Sequence, residues 1–438
     1  MKDHVDRFLR KRMKKTPWSF ADAPDLRQQG KVDHRMPHVL NALSLGLLSN
    51  EPTLRDVEEM TRELGPWSRT LVPAPISDTT LDTEARRLSE PYLAGKLVGQ
   101  VHDMKRSKML APFGLPCGVA TVDGKNLATL EHDAGGRAQA RTSDNAKWHN
   151  AQKSPTPKPY YLVPVLRAVL TSAAAKPALL QLALGARQGE ADAFGEMVAA
   201  LHSAYGRSQM IDIIDGDAGL TSLRNANAVD GLGYGYVFGL KGNQRELHDE
   251  AKALLEPMAE KQAPEAETHW ELRGAKRIRR RLWRTAEMKG IENSVGCWSH
   301  LRQTWLVRQE TRLKDGTVVD VEDRFFISSV LWNYLKPDQI LALVRNHWGI
   351  ENDAFNSLDL QWHEDHGPWC TQGNAVWTLG LLRLMAYNLV QYLRKRRLRR
   401  KDEHGRWREP LPWRRVFRQI RRALDGATIE AMATTTGG

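Results

Sequence analysis

The order of its periodic segments is what most restricts how this chain can fold. From about residue 111, CGVATVDGKNLATL reads as a strand and turn, and YYLVPVLRAVL and PALLQLALGA read as further strands, with an ambiguous Ala-rich stretch between them. AFGEMVAALHSAY has the spacing of an amphipathic helix, and MIDIIDGDAG returns to a strand that ends in a Gly/Asp turn. GYGYVFGLKGN is one more strand, followed by the helical RELHDEAKALL. Three strands, a helix, then strands separated by helices predict an α/β fold, a mixed sheet flanked by helices.

The segments around this block differ in texture. Residues 20 to about 90 read as helical, and Leu54, Val57, Met60 and Leu64 recur at steps of three and four to give one apolar stripe. That region carries no distinct helix-turn-helix signature, so DNA binding and a packing or dimerisation role both fit it. Between about 256 and 330 the pattern turns to strands, with an Asp315-Gly316 hairpin signal in TWLVRQETRLKDGTVVDVEDRFFISSV. From Pro337 helical patterns return and run into a basic tail. The expected units are a helical N-terminal domain over 1–95, a core over 110–255 and 327–390, a β-rich insertion over 256–326, and a basic tail over 391–438. The Ser/Pro/Lys-rich stretch 142–159 reads as a linker.

Charge is concentrated. The chain carries +12 overall, and Gln391 to Leu424 holds 14 Lys/Arg against 3 Asp/Glu. Met1 to Lys15 adds a second basic run, 7 against 2. Such clusters attract a polyanion and release its counterions. A plain solvated tail would look similar, but Trp407, Trp413 and Phe417 lie among the arginines and supply stacking faces. The expectation is therefore a DNA-binding tail through Arg394, Arg396, Arg397, Arg399, Arg400, Arg414 and Arg415. With no apolar run of about 18 residues and a charged start, neither a signal peptide nor a membrane span is expected. The cysteines Cys117, Cys297 and Cys370 are far apart and match no zinc spacing, which fits a reducing, cytoplasmic setting.

Three acids stand where a sheet and a helix can bring them together. Asp123 lies at the end of the strand VATVDG, where the period of two puts it on one face with Thr121. Asp217 follows MIDII, and Glu351 lies on the helix holding RNHWGIEN. Phosphoryl transfer needs such a cluster, because hard oxygen ligands hold the magnesium ions that activate the attacking oxygen and stabilise the leaving one. Each acid alone is more readily a turn or cap residue. The segment His363, Glu364, Asp365, His366 invites a zinc reading, which the remote cysteines disfavour.

Four segments then resemble a known family. Asp123-Gly124-Lys125, Asp217-Ala218-Gly219-Leu220-Thr221-Ser222, Leu240-Lys241-Gly242-Asn243-Gln244 and His347-Trp348-Gly349-Ile350-Glu351-Asn352 occur in the order seen in the DDE transposases of bacterial insertion sequences, in the ISAs-type branch. The similarity extends over roughly residues 25 to 390. It implies an RNase H-like catalytic core, with Asp123, Asp217 and Glu351 as the catalytic, metal-binding triad for two Mg2+ ions, Mn2+ being able to substitute. Asp215 is the rival for the second position, being nearer the strand, and the DAGLTS match favours Asp217. Lys125, Lys241, Asn243 and His347 are expected at the DNA, Lys241 and Asn243 having a polar turn as their plain alternative. His347 has packing against Trp348 as its own. Where better-studied relatives place Tyr, Arg and Lys around the glutamate, this chain has Val344, His347 and Leu358, so the hairpin-forming route of second-strand cleavage is not implied. Asp359 lies near the same face. The function implied is cleavage at transposon ends and transfer of the 3′ hydroxyl into target DNA, on double-stranded DNA and by at least a dimer, in a bacterial cytoplasm at the nucleoid. A catalytically silent DNA-binding descendant and a non-transposing nuclease are the alternatives.

Overall fold

The computed structural model describes residues 2–142, 159–288, 298, 300–365, 369–398 and 410–425. Six helices come first: α1 (Lys2–Met13), α2 (Met36–Ser49), α3 (Leu54–Glu63), α4 (Pro66–Arg69), α5 (Asp78–Ala85) and α6 (Glu90–Arg106). Local chemistry sets their ends. Thr53 opens α3 with a capping box, its hydroxyl taking the Asp56 N–H while the Asp56 carboxylate takes the Thr53 N–H. The stripe Leu54, Val57, Met60 is buried, as its spacing requires.

The sheet follows, with β1 (Val119–Leu130), β2 (Gln139–Thr142), β3 (Pro159–Leu170), β4 (Ala178–Ala183), α7 (Glu190–Tyr205), β5 (Ile213–Gly216), α8 (Leu223–Asp230), β6 (Gly235–Leu240) and α9 (Arg245–Lys261). Next come β7 (Ala266–Glu267), β8 (Glu271–Arg273), β9 (Lys276–Thr285), β10 (Gln303–Leu313) and β11 (Val318–Ser328). The main path is β2-β3-β1-β5-β6-β11-β10-β9-β7. At its centre β1, β5 and β6 run parallel, and antiparallel wings extend on both sides. The β-rich segment therefore builds no sheet of its own, because β11 pairs directly with β6 from Phe325↔Leu240 to Ser328↔Val237. Gly316, at φ 97°, closes the β10–β11 hairpin in a left-handed conformation that glycine adopts without steric cost.

Side-chain alternation divides the sheet between two cores. Ala120, Val122, Ile214, Tyr236 and Phe238 face α7 and belong to the main core, which also holds the N-terminal helices. Val119, Ile213 and Val237 face the other way, onto Ile340, Leu341, Leu343 and Val344 of α10 (Pro337–His347). After α10 come a π-helical turn (Ile350–Phe355), α11 (Asn356–Trp362), α12 (Ala375–Tyr392), a second π-helical turn (Leu393–Arg397) and α13 (Trp413–Leu424). Helix α12 is buried on every side and packs against α6 and α2, consistent with its apolar sequence. Asn388 fixes it to β4 by a two-way bond, accepting from Ala178 N–H at 2.8 Å and donating to Ala178 C=O at 2.9 Å. The first 95 residues thus share their core with the rest of the chain.

Trp413 and Phe417 do not have the role expected from sequence, and Trp407 lies outside the described residues. Trp413 and Phe417 pack edge-on against Trp362, with ring centroids 5.4 Å away in each case, and Trp413 stacks on Tyr387. Their faces meet protein rings rather than bases. The physical reason is helical period: Val416, Phe417, Ile420, Ala423 and Leu424 form a buried stripe docked on α1 and α2. Arg421 ties α13 down through Glu51 and Glu63, while Arg414, Arg415, Arg418 and Arg422 stay on its outer side. No helix among the described residues is long and apolar enough to cross a membrane.

Candidate active site

Strand register brings the first two acids together. Thr121 pairs with Asp215 and Val122 with Gly216 in the parallel ladder, so the next step along each strand is Asp123 and Asp217. Asp123 is not at a strand end as the Asp-Gly step predicted. Pairing with β3 carries β1 on to Leu130, with a register shift between Asn126 and Thr129. Asp123 lies instead where β5 stops and the sheet opens a rim.

Asp217 is held by the two motifs that flank it. Its carboxylate caps a short 3-10 turn by accepting the Leu220 N–H at 3.2 Å, and the Thr221 hydroxyl donates to Gly239 C=O at 2.5 Å. Asn243 donates to Ala218 C=O at 2.6 Å, and Gln244 donates to Thr221 C=O at 3.1 Å. The L-K-G-N-Q segment thus braces the D-A-G-L-T turn. The Asn243 amide is engaged there, and the Lys241 side chain is exposed beside it.

Glu351 stands on the π-helical turn beside β1, exposed to solvent. A π register is a frequent mark of functional sites, since it re-aims side chains within a helix. Burial, and after it the charges of Glu351 and Asp217, push the Asp123 carboxyl up to about 7 against the help of the Gly124 N–H, with Glu190 adding a smaller push. Glu351 and Asp217, each far from Asp123 in sequence, therefore both bear on it at this rim. Among the described residues no group of three His, Cys, Asp or Glu side chains is drawn in tightly enough to hold an ion as it stands.

Asp215, the rival for the second position, has another task. Its carboxylate is buried, accepts the Thr121 hydroxyl at 2.9 Å, and pairs with His347 Nδ1 at 2.9 Å. His347 therefore does not point out towards a phosphate. It bolts the end of α10 to β5, and also meets the Trp348 ring edge-on with centroids 6.2 Å apart. Burial disfavours the imidazolium, but Asp215, by charge and hydrogen bond, more than offsets this, and Asp123 and Asp217 add to raise it to about 9. A folded value above the ordinary one means stability that is complete below about 6.5. That contribution is lost as pH rises through about 9. Histidine NMR of the metal-free protein is expected to show His347 titrating near that pH, and a midpoint near 6.5 would refute the pairing.

Other predicted contacts also turn inward. The Lys125 ammonium lies 2.6 and 2.7 Å from the two Asp359 oxygens and is 8% exposed, so it joins β1 to α11 rather than facing DNA. Asp359 is the partner in that link. Glu364 is buried against Arg167, which removes it from any zinc set, and His366 lies outside the described residues. Val344 and Leu358 are both core residues. Arg394 donates to Leu411 C=O at 3.1 Å and covers the Trp413 ring at 4.0 Å. Arg396 is exposed, as is Arg414. Arg397 falls in the second π-helical turn, and Arg399 and Arg400 lie outside the described residues. Sequence reasoning missed Glu190, at the start of α7, which no motif marks.

Residues 119–389 match the family model described as the transposase DDE domain, well over half of the chain. The chain belongs to that family, and its field of action is DNA transposition. No curated protein matches it in sequence. Among solved structures it is similar to a cryo-EM structure of the piggyBac transposase synaptic complex with hairpin DNA, at 10% identity and a TM-score of 0.40, over 100% of this chain and 82% of that one. That likeness is too distant to assign any residue.

Proposed function

We propose that this transposase uses Asp123, Asp217 and Glu351 as a two-metal centre that cleaves DNA at the ends of its element and directs the freed 3′ hydroxyl at target DNA. The observation that carries the reading is the parallel register of β1 and β5, which sets Asp123 beside Asp217, with Glu351 also bearing on Asp123. The donor set fits magnesium, with manganese as its substitute, because every ligand is a hard carboxylate oxygen. Burial and then the repulsion of neighbouring acids raise Asp123, and a divalent cation would relieve that repulsion. Glu351 is exposed and has no side-chain hydrogen bond or ion pair among the described residues, so it is free to rotate inward. When bound, the metals would supply an activated oxygen nucleophile and neutralise charge on the leaving oxygen.

The protein's own part is positioning. Asn243 and Gln244 fix the turn carrying Asp217, while His347 and Asp215 lock α10 so that the following π-helical turn presents Glu351 at a set place. The motifs D-G-K, L-K-G-N-Q and H-W-G-I-E-N, the RNase H-like core and the ISAs-type branch belong to this same reading. The boundaries 1–95, 110–255 with 327–390, 256–326 and 391–438 serve it as functional regions of one packed body. Holding two DNA ends requires at least two subunits. Purified protein with magnesium and a DNA carrying the inverted repeats that flank its gene is expected to yield nicked ends and strand-transfer products. Binding without any cleavage would favour a silent DNA-binding descendant, and cleavage without strand transfer a plain nuclease.

DNA is to be gripped by outward-facing cations, foremost Arg414, Arg415, Arg418 and Arg422 of α13, with Arg396 and Lys241. Truncating the tail would strip the stripe from α1 and α2, so substitution is the cleaner test. Changing the four α13 arginines to glutamine is expected to leave thermal unfolding unchanged. It should reduce the salt slope of binding by about 0.9 for each phosphate that is no longer neutralised. An unchanged slope would return that face to a solubilising role.

A further inference from the structure

The acidic rim has a fourth member that no motif announces. Glu190 is the first residue of α7, the helix packed on the sheet face opposite α10. Its carboxylate lies over Gly124, the residue after Asp123, where a side chain at position 124 would begin. A Cβ built on Gly124 would fall inside that carboxylate. The middle glycine of Asp123-Gly124-Lys125 is thus what lets Glu190 reach the rim.

A structural role at the helix start accounts for only part of this. An acid in the first turn of a helix is stabilised by the helix dipole, by about 0.3–1 kcal/mol. That explains an acid at position 190 but not the direction its carboxylate takes. Glu190 lies within range of the Asp217 charge, and its own charge bears on Asp123. No hydrogen bond or ion pair holds it there among the described residues. An acid set against two other acids, over a backbone kept bare for it, has its natural partner in a cation.

We propose that Glu190 is a fourth carboxylate of the metal centre, reaching it from the α7 face and sharing the cation held between Asp123 and Asp217. The inference rests on the two-metal reading given above. Three carboxylates leave two divalent ions with one excess positive charge, and a fourth completes neutrality. Magnesium keeps several waters and takes few protein oxygens, so Glu190 acts on the ion directly or through one of those waters.

The test is Mn2+ binding by the metal-free full chain, measured by titration calorimetry and Mn2+ electron paramagnetic resonance, with thermal unfolding as the check on folding. Glu190→Gln, which keeps shape and removes charge, is expected to weaken binding about 10–100-fold. Gly124→Ala should weaken it comparably by displacing Glu190, and should add little in a Glu190→Ala background, where that carboxylate is gone. Glu196→Gln, an exposed acid on the same helix, should bind as the unaltered protein does. Asp123→Asn separates the two readings. If it loses Mn2+ while Glu190→Gln keeps full affinity, Glu190 is excluded and the metal centre stands. If Asp123→Asn keeps Mn2+ as well, both fall.

Discussion

Glu351→Gln is expected to abolish magnesium-dependent strand cleavage while leaving binding of DNA ends nearly unchanged. The substitution keeps the size and hydrogen-bonding reach of the side chain and removes only its charge. Glu351 is exposed on its turn and has no side-chain hydrogen bond among the described residues, so the fold should not register its loss. Metal assistance is worth several kcal/mol of transition-state stabilisation, and each 1.36 kcal/mol is tenfold in rate. A loss on the order of 10³-fold or more in the cleavage rate follows. The proposed DNA contacts lie elsewhere, on α13 and at Lys241, so binding affinity should move little. Cleavage persisting near the original rate would remove Glu351 from the centre.

The second large effect concerns stability. Arg167 on β3 and Glu364 after α11 form a two-toothed pair, at 2.6 and 2.8 Å, with exposures of 1% and 0%. Arg167 also donates twice to Gln181 of β4, whose amide reaches Trp377 C=O of α12 at 3.0 Å. One buried knot therefore joins two strands, α12 and the segment that follows Glu351 and α11. Arg167→Met should cost about 3–5 kcal/mol in urea unfolding, because it leaves Glu364 buried and unpaired. Replacing both partners by apolar residues should recover much of that. Burial resists the Glu364 carboxylate, but Arg167 more than offsets this and holds its carboxyl below the usual range. The sign follows: the stabilisation is complete above the ordinary glutamate pKa of about 4.3 and is lost as pH falls through the lower folded value. A change in Arg167→Met of under about 1 kcal/mol would show the pair to be energetically idle.

Some of this architecture was legible in the residues and some was not, for physical reasons. The strands around Asp123 and Asp217 and the helix before Glu351 follow from hydrophobic period, which local sequence records directly. The Asp-Gly step at Asp123 reads as a turn by local preference, yet β3 supplies a pairing edge that keeps β1 extended through it. The tail misled in the opposite sense. Interleaved Trp413, Phe417 and arginines suit base stacking equally well, and only the docked stripe of α13 shows where the rings go. Lys125 and His347 look like DNA contacts until Asp359 and Asp215 appear opposite them, partners set by the fold rather than by spacing. Glu190 was invisible for the same reason. Its significance lies in a contact with Gly124 made from the opposite face of the sheet.

The most direct test is a crystal structure grown with Mn2+ and read by anomalous scattering. The expected result is metal density at the rim, touched by carboxylate oxygens from positions 123, 217 and 351. Density elsewhere, or a rim with those three side chains more than about 10 Å apart, beyond the reach of ions that sit about 4 Å from each other, would contradict the account.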